Sequence, residues 1–113
     1  MCSSETSIKI LSEVYDACSR SFETAIQDAY LYGSYARGDY HEESDVDILL
    51  TVDIVPEELP RYRAVTFEVS GELSLKYGVV VSITIKPLRQ FRRYGQVLPY
   101  YQNIIKEGVR YAG

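Results

Sequence analysis

The sequence predicts a small domain of the α/β (α+β) class, built from a mixed β-sheet with helices packed on one face. A length of 113 residues allows one hydrophobic core, which indicates a single domain over residues 1–113. Patterns typical of helices and strands alternate along the chain, without internal repeats or linker-like segments. Three short apolar segments bounded by glycine, proline or acidic residues are typical of buried strands.

The first predicted element is an amphipathic helix over residues 7–25. Its apolar positions recur at steps of three and four residues and are Ile8, Leu11, Val14, Tyr15, Cys18 and Phe22. Gln27 and Asp28 interrupt this pattern, so the first strand is predicted at residues 29–32. A single helical turn is expected next, and Gly38 closes it.

The second strand is predicted at residues 44–52, after a polar loop. A long helix follows, which begins at residues 57–60 and extends to Lys76. Pro60 suits its first turn because the N–H that proline lacks is not needed there. Gly78 is typical of the residue that ends a helix.

The last third of the chain predicts one more main strand and two short helices. The β-branched residues of the segment 79–85 indicate the third strand. Short helices are predicted at 88–94 and 100–106, each preceded by proline. Residues 109–111 form either a short edge strand or a free end.

Composition excludes some classes of function. The formal net charge of −4 argues against a nucleic-acid-binding surface, which usually needs clustered positive charge. No apolar run approaches the roughly 20 residues of a membrane helix, and the N-terminus does not resemble a secretion signal. We therefore expect a cytoplasmic protein. Cys2 and Cys18 are too few for a disulfide framework, and Cys18 is expected in the core.

Asp45 and Asp47 are the main candidates for chemistry. Residues i and i+2 of a strand point to the same face, which places the two carboxylates roughly 6–7 Å apart along the backbone. Two such acids at the start of an apolar strand repel each other and are unfavourable to bury unpaired. A divalent cation removes that penalty, and Mg²⁺ favours carboxylates together with substrate phosphates.

Gly33 and Ser34 complement the acidic pair. Glycine lets a backbone approach a ligand closely, and Ser34 offers a hydroxyl and an N–H at the start of a helical turn. This part of the sequence reads GSYARGDYHEESDVD, in which ten residues separate Gly33-Ser34 from Asp45-Val46-Asp47. The segment resembles the signature of the DNA polymerase beta-like nucleotidyltransferase superfamily. It is most similar to the minimal nucleotidyltransferases of bacteria and archaea.

The resemblance implies the nucleotidyltransferase fold and the Mg²⁺-dependent transfer of AMP from ATP onto a hydroxyl, with release of pyrophosphate. It implies that Asp45 and Asp47 are catalytic and hold the metal ion. Gly33 and Ser34 then bind the phosphates, and Arg37 either contacts a phosphate or substrate or merely anchors the loop. The resemblance also implies a partner, because minimal nucleotidyltransferases of this kind are typically paired with a small helical toxin of the HEPN family. In such pairs the transferase is an antitoxin that modifies a tyrosine of its partner.

Several further polar residues near the motif have a structural interpretation. Ser44 belongs to the nucleotide-binding segment, but it is more typical of a residue that braces the loop before the acidic pair. His41, the only histidine, is expected to be solvated. A basic cluster beside the third strand is interpreted as a solvated helix face, unless it faces the acidic pair; its members are Lys86, Arg89, Arg92 and Arg93.

One departure from the family pattern bears on activity. Active members usually carry a third carboxylate on a neighbouring strand, whereas the third strand here contains only Ser82 and Thr84 as polar residues on one face. Neither is a strong general base. Glu68 and Glu72 belong to the preceding helix, and their spacing places them on the solvent side.

Two other functions therefore stay open. One is a nucleotide-binding or partner-binding module of the same fold that is slow or inactive in catalysis. The other is a small-molecule transferase, similar to the enzymes that adenylylate aminoglycosides, which would require a homo-oligomer to build an acceptor pocket.

Overall fold

The computed structural model describes residues 3–23 and 25–111. Its helices are α1 (Ser4–Ser21), α2 (Ser34–Arg37), α3 (Leu59–Tyr77), α4 (Leu88–Tyr94) and α5 (Pro99–Glu107), and a 3-10 turn at Pro56–Glu58 precedes α3. Its strands are β1 (Ile26–Tyr32), β2 (Val46–Val52), β3 (Val81–Pro87) and β4 (Val109–Arg110).

The strands form one mixed sheet in the order β3-β2-β1-β4. β1 pairs antiparallel with β2 and with β4, whereas β2 and β3 are parallel and are connected through α3. The register places Tyr32 of β1 on one side of Asp47 and Ser82 of β3 on the other. Asp47 therefore lies in the middle of three neighbouring strands.

One face of the sheet is closed by α1 and α3. Alternate residues of β2 point into this face and are fully buried: Val46, Ile48, Leu50 and Val52. They belong to one apolar cluster with Ile10, Val14 and Cys18 of α1 and with Val69 and Leu73 of α3. Burying an aliphatic side chain of this size stabilises the folded state by about 1.5–3 kcal/mol. This cluster is the main core, and Cys18 belongs to it as predicted.

The opposite face carries a smaller aromatic cluster. Leu49 of β2 packs there with Phe91 of α4 and with Tyr101 and Ile104 of α5. The predicted fold class is confirmed, but the helices do not all pack on one face: α4 and α5 cover part of the second. The reason is that Leu49, between Asp47 and Thr51 on this face, is fully buried and needs apolar partners of its own.

An ionic contact ties α1 to α3 at the edge of the core. Lys76 Nζ lies 2.6 Å from Glu13 Oε1, and the Tyr77 hydroxyl donates a hydrogen bond to the other oxygen of that carboxylate. Partial burial acts to raise the pKa of Glu13, but the bonds from Lys76 and Tyr77 outweigh it and lower the pKa. The C-terminal turn of α3 is thereby fixed to α1.

The element order is the predicted one, but α1 spans Ser4–Ser21 rather than residues 7–25, and β1 starts earlier than predicted. It begins at Ile26 rather than residue 29, with an irregular register between Ile26 and Asp28. The Asp28 carboxylate accepts hydrogen bonds from the Thr51 hydroxyl at 3.1 Å and from Arg110 at 3.0 Å. These partners let the polar Asp28 belong to the strand. Arg110 is part of β4, so of the two predicted alternatives the structure has the short edge strand rather than a free end.

Other differences in bounds are small, although β2 begins at Val46 rather than residue 44, so Asp45 precedes the strand instead of belonging to it. α3 ends where Gly78 adopts a left-handed conformation with φ of 65°, as predicted. β3 begins at Val81 instead of residue 79, where the Val81 N–H donates to Ser74 Oγ at 2.9 Å. Within the described residues, no helix is long and apolar enough to cross a membrane.

Candidate active site

The motif residues converge at the N-terminal end of β2, on the face that α1 and α3 do not cover. Asp47 is the second residue of β2 and is half-buried, whereas Asp45 directly precedes the strand and is exposed. Gly33 follows the last residue of β1, and Tyr32 of that strand pairs with Asp47. The antiparallel pairing of β1 and β2 therefore brings together two parts of the motif that are more than ten residues apart.

Gly33 touches the carboxylate of Asp47 directly. A Cβ atom on Gly33 would lie 2.5 Å from Asp47 Oδ2, closer than such atoms approach in proteins. Gly33 also has φ of 79° and ψ of −154°, a backbone conformation that L-residues with side chains rarely adopt. Only glycine satisfies both conditions, which is a physical reason for the Gly-Ser part of the motif.

α2 holds this turn in place. The carbonyl oxygen of Gly33 accepts hydrogen bonds at 3.1 Å from the N–H groups of Ala36 and Arg37. Ser34 is half-buried and is the first residue of this helix. It directly follows Gly33, the residue that lies against the Asp47 carboxylate. The ring of Tyr35 is buried and stacks on Tyr40 at a centroid distance of 4.3 Å. That aromatic anchor was not predicted from the sequence.

The surroundings of Asp47 disfavour the charged form of its carboxyl group. Burial raises the pKa of the Asp47 carboxyl above its ordinary value of 3.8, and the nearby charge of Asp45 raises it further, while Arg37 acts in the opposite direction. The structure thus places Asp45, Asp47 and Arg37 within electrostatic reach of one another. Two carboxylates held together in this way are suited to a cation, because a cation removes their repulsion.

Arg37 lies at the rim of the site. Its Nε lies 3.2 Å from Asp39 Oδ2, and both side chains are largely exposed. Together with Gly33 it lines a cavity of about 230 Å³ whose far wall is formed by α5. Exposed ion pairs of this kind are weak, so the guanidinium can exchange Asp39 for a stronger anion such as a phosphate.

Ser44 and His41 brace the loop in front of the acidic pair. The Ser44 hydroxyl accepts a hydrogen bond from the His41 N–H at 2.9 Å, and the Ser44 N–H donates to the His41 carbonyl at 3.0 Å. The imidazole Nδ1 of His41 accepts from the Glu43 N–H at 3.2 Å. These contacts agree with the interpretation of Ser44 as a bracing residue.

The β3 side of the site carries hydroxyls rather than acids. Ser82 lies opposite Asp47 and Thr84 opposite Leu49 in the parallel register, so both belong to the face of the acidic pair. In the part of the chain that the structure describes, no three Asp, Glu, His or Cys residues are grouped to hold a metal ion. Glu68 and Glu72 are exposed on α3, which covers the other face of the sheet.

A pair of tyrosines, not predicted from the sequence, borders the site. The hydroxyls of Tyr32 and Tyr100 lie 3.0 Å apart, and their rings meet edge to face. Burial raises the pKa of the Tyr100 phenol, and the hydrogen bond from Tyr32 adds to that effect. Tyr32 immediately precedes Gly33, so the sequence could have placed Tyr32 at the site. The position of Tyr100 depends on how α5 packs and could not be predicted in this way.

The basic cluster lies at the other end of the sheet. Lys86 is opposite Thr51 in β2, four residues from Asp47, which corresponds to roughly 13 Å along the strand. Arg89 and Arg93 follow on α4 and line a cavity of about 710 Å³ together with Asp53 and Glu58. The cluster therefore does not face the acidic pair.

Comparison with known proteins identifies a family for this chain. Residues 11–112 match the model of a family described as the nucleotidyltransferase domain. One relative from Methanocaldococcus jannaschii is 32% identical over 100 residues, which are 88% of this chain and 92% of the relative. A second protein of the same organism is 36% identical over 75 residues, which are 66% of this chain and 74% of that protein. Both are named as candidate protein adenylyltransferases.

Solved structures share the fold. A toxin–antitoxin crystal structure with AMP-PNP superposes with a TM-score of 0.56 at 22% identity, covering 86% of this chain and 68% of that one. A variant of the toxin–antitoxin MntA–HpeT gives a TM-score of 0.55 at 20% identity, covering 92% of this chain and 70% of that one. The family match covers most of the chain, and the Gly33 turn packs against the Asp47 carboxylate within the shared fold. We conclude that this chain is a member of the nucleotidyltransferase domain family.

Proposed function

We propose that this protein transfers AMP from ATP onto a hydroxyl of a partner protein, with Asp45 and Asp47 as the metal-binding and catalytic residues. The observation that carries the proposal is the contact between Gly33 and the Asp47 carboxylate, where an added Cβ would lie 2.5 Å from Oδ2. Phosphates cradled by the turn after Gly33 would lie next to the carboxylates that neutralise them through a cation.

The residues present fit Mg²⁺. The acidic pair supplies oxygen ligands from two carboxylates, and the pKa of Asp47 is raised, first by burial and then by the nearby charge of Asp45. Mg²⁺ commonly uses one or two carboxylates and completes its shell with water and substrate phosphates. When bound, it would offset the charge that develops on the phosphates during transfer.

The chain itself would position the nucleotide. The N–H groups at the start of α2 and the Ser34 hydroxyl suit phosphate oxygens, and Gly33 permits their close approach. Arg37 would leave its exposed partner Asp39 and pair with a phosphate. Ser44 would contribute by holding the loop that carries Asp45.

The acceptor we propose is a tyrosine of a small helical toxin of the HEPN family, in the cytoplasm, with this chain as its antitoxin. Two relatives are named as candidate protein adenylyltransferases, and the structural neighbours are toxin–antitoxin complexes, one of them with a nucleotide analogue. These relationships support a protein acceptor over an aminoglycoside-like small molecule.

A second function is favoured by a specific observation. Ser82 occupies the β3 position opposite Asp47, and the described residues contain no group of three His, Cys, Asp or Glu side chains that could hold a metal ion. A module that binds ATP–Mg²⁺ and its partner without turnover would need only the acidic pair. We therefore expect the transferase to be slow, because the loss of a group that activates the acceptor costs about 10²–10⁴-fold in rate.

The test is a single-turnover assay with ATP labelled at the α-phosphate, Mg²⁺ and the purified product of the adjacent gene. Label should appear on a tyrosine of that protein with the wild type and not with Asp45→Asn/Asp47→Asn. Asp53→Asn is the matched control, since Asp53 is an exposed acid at the other end of β2. ATP–Mg²⁺ binding that survives the double substitution would show the metal assignment to be wrong, and binding without any transfer would favour the module.

A further inference from the structure

We propose that α3 is the contact surface of a two-fold symmetric dimer of this chain. Its outward side carries an apolar row that we call the outer ridge: Phe67, Gly71 and Leu75. Phe67 is 82% exposed and Leu75 is 88% exposed, more than any other large apolar residue among those described. The ridge lies at four-residue steps, so its members are neighbours on one line of the helix surface.

The ridge points directly away from the domain. The buried positions of α3 are Tyr62, Thr66, Val69 and Leu73, which face the sheet and α1. At 100° per residue, Gly71 lies on the side of the helix opposite to these four. The ridge therefore takes no part in the monomer core, and nothing within the described domain covers it.

Gly71 gives no benefit to the isolated chain. It lies in the middle of α3 without a positive φ, and a Cβ atom there would meet nothing within 4 Å. Alanine would fit and would favour the helix more. A glycine at an exposed mid-helix position is explained if another backbone approaches it closely.

The ridge is complementary to a second copy of itself, which is the source we propose for this other backbone. Phe67 and Leu75 are equidistant from Gly71, four residues to either side. In the commonest class of helix packing, the rows at four-residue steps of both helices align side by side. When the two helices run antiparallel, a two-fold axis that crosses them at Gly71 places Phe67 of each copy beside Leu75 of the other. Such a self-complementary contact is the condition for a closed dimer.

The size of the contact predicts a weak dimer. The exposed parts of Phe67 and Leu75 amount to roughly 300 Å² per chain. The two ridges together therefore bury roughly 600 Å², to which the flanking residues of α3 add, and this is the size of a weak, transient interface. We therefore expect association that depends on concentration in the micromolar range. The acidic pair lies on the opposite face of the sheet, so both candidate sites stay accessible in the dimer and the inference does not depend on the proposed function.

Sedimentation velocity of the full chain tests this, from low micromolar to near-millimolar concentration. The wild type should shift from monomer to dimer, and Phe67→Glu should weaken association at least about tenfold. The control is Val97→Glu, because Val97 is 66% exposed but lies between α4 and α5. A wild type that stays monomeric throughout, or association that Phe67→Glu leaves unchanged, would overturn the proposal.

Two further variants separate a dimer contact from an effect on folding. Gly71→Ala should raise the melting temperature of the monomer and yet weaken association, because the added methyl groups hold the ridges apart. Phe67→Lys and Leu75→Glu should each weaken association, and their combination should regain part of it. The two positions are roughly 12 Å apart within one helix, so only a contact between copies explains that recovery. Without the recovery, the two-fold arrangement at Gly71 would be wrong.

Discussion

The two faces of β2 perform different tasks with residues that alternate along one strand. Val46, Ile48, Leu50 and Val52 point towards α1 and α3 and are fully buried in the main core. Asp47 points the other way, into a region that α4 and α5 leave partly open. A single strand thus fixes the fold with one face and presents a destabilising charge with the other. Changes to the first face should alter stability, and changes to the second should alter binding.

The largest effect is expected from Leu50→Ala, which empties part of the main core. We expect a loss of about 2–5 kcal/mol in the free energy of unfolding, measured by urea denaturation. Val97→Ala is the control, because Val97 is 66% exposed, lies outside the outer ridge and should change stability by less than about 0.5 kcal/mol. Equal losses in both variants would contradict the division between the faces.

The next largest effect is expected from Gly33→Ala. The added methyl group collides with Asp47 Oδ2, and the positive φ adds strain of about 1–3 kcal/mol. We therefore expect a lower melting temperature together with weaker ATP–Mg²⁺ binding by calorimetry.

Gly38→Ala separates these two causes. Gly38 also has a positive φ of 85°, but a Cβ there meets nothing within 4 Å. That variant should lose stability and retain nucleotide binding. If it lost binding as strongly as Gly33→Ala, backbone strain rather than the contact with Asp47 would explain the effect.

A gain of activity is expected from Ser82→Asp. It places a carboxylate on β3 directly opposite Asp47, and we expect single-turnover transfer to rise about 10-fold to 100-fold. Thr84→Asp is the comparison, because Thr84 lies one pair further along the same face, opposite Leu49. Fast wild-type transfer that neither substitution changes would mean that another carboxylate completes the site.

The smallest effect is expected from Asp47→Asn without metal. The pKa of Asp47 is raised in the folded chain, so its favourable contribution is complete below its ordinary value of 3.8 and is lost as the pH rises through the folded value. The variant should therefore match the wild type in acid and be more stable at neutral pH, by roughly a few tenths of a kcal/mol. Melting temperatures measured across this range test the sign. Saturating Mg²⁺ should reduce the difference.

Much of this arrangement could be predicted from the sequence because its causes are local. The turn at Gly33 and the strand that begins near Asp47 follow from glycine, from alternation and from the apolar continuation. The approach of Gly33 to Asp47 follows once β1 and β2 pair. The resemblance to nucleotidyltransferases rested on these same residues.

What could not be predicted depends on contacts between distant parts of the chain. The hydroxyls of Tyr32 and Tyr100 meet across 68 residues, and no local pattern specifies that distance. The placement of α4 and α5 on the second face is set by Leu49, Phe91 and Tyr101, which periodicity alone does not assign to a face. The early start of β1 needed Arg110 and Thr51 as partners for Asp28.

The two-residue strand β4 has a consequence for hydrogen exchange. Its Val109 and Arg110 pair with Leu31 and Tyr30 of β1, and the N–H of Tyr111, the next residue, donates to the Ala29 carbonyl. Gly108 lies so close to α5 that a Cβ atom would be 2.4 Å from the Ile104 carbonyl oxygen, so helix and strand are expected to move together. Opening this short attachment breaks few bonds. We therefore expect the amides of α5 to exchange with solvent much faster than those of β2, and Tyr100 to leave the site with them.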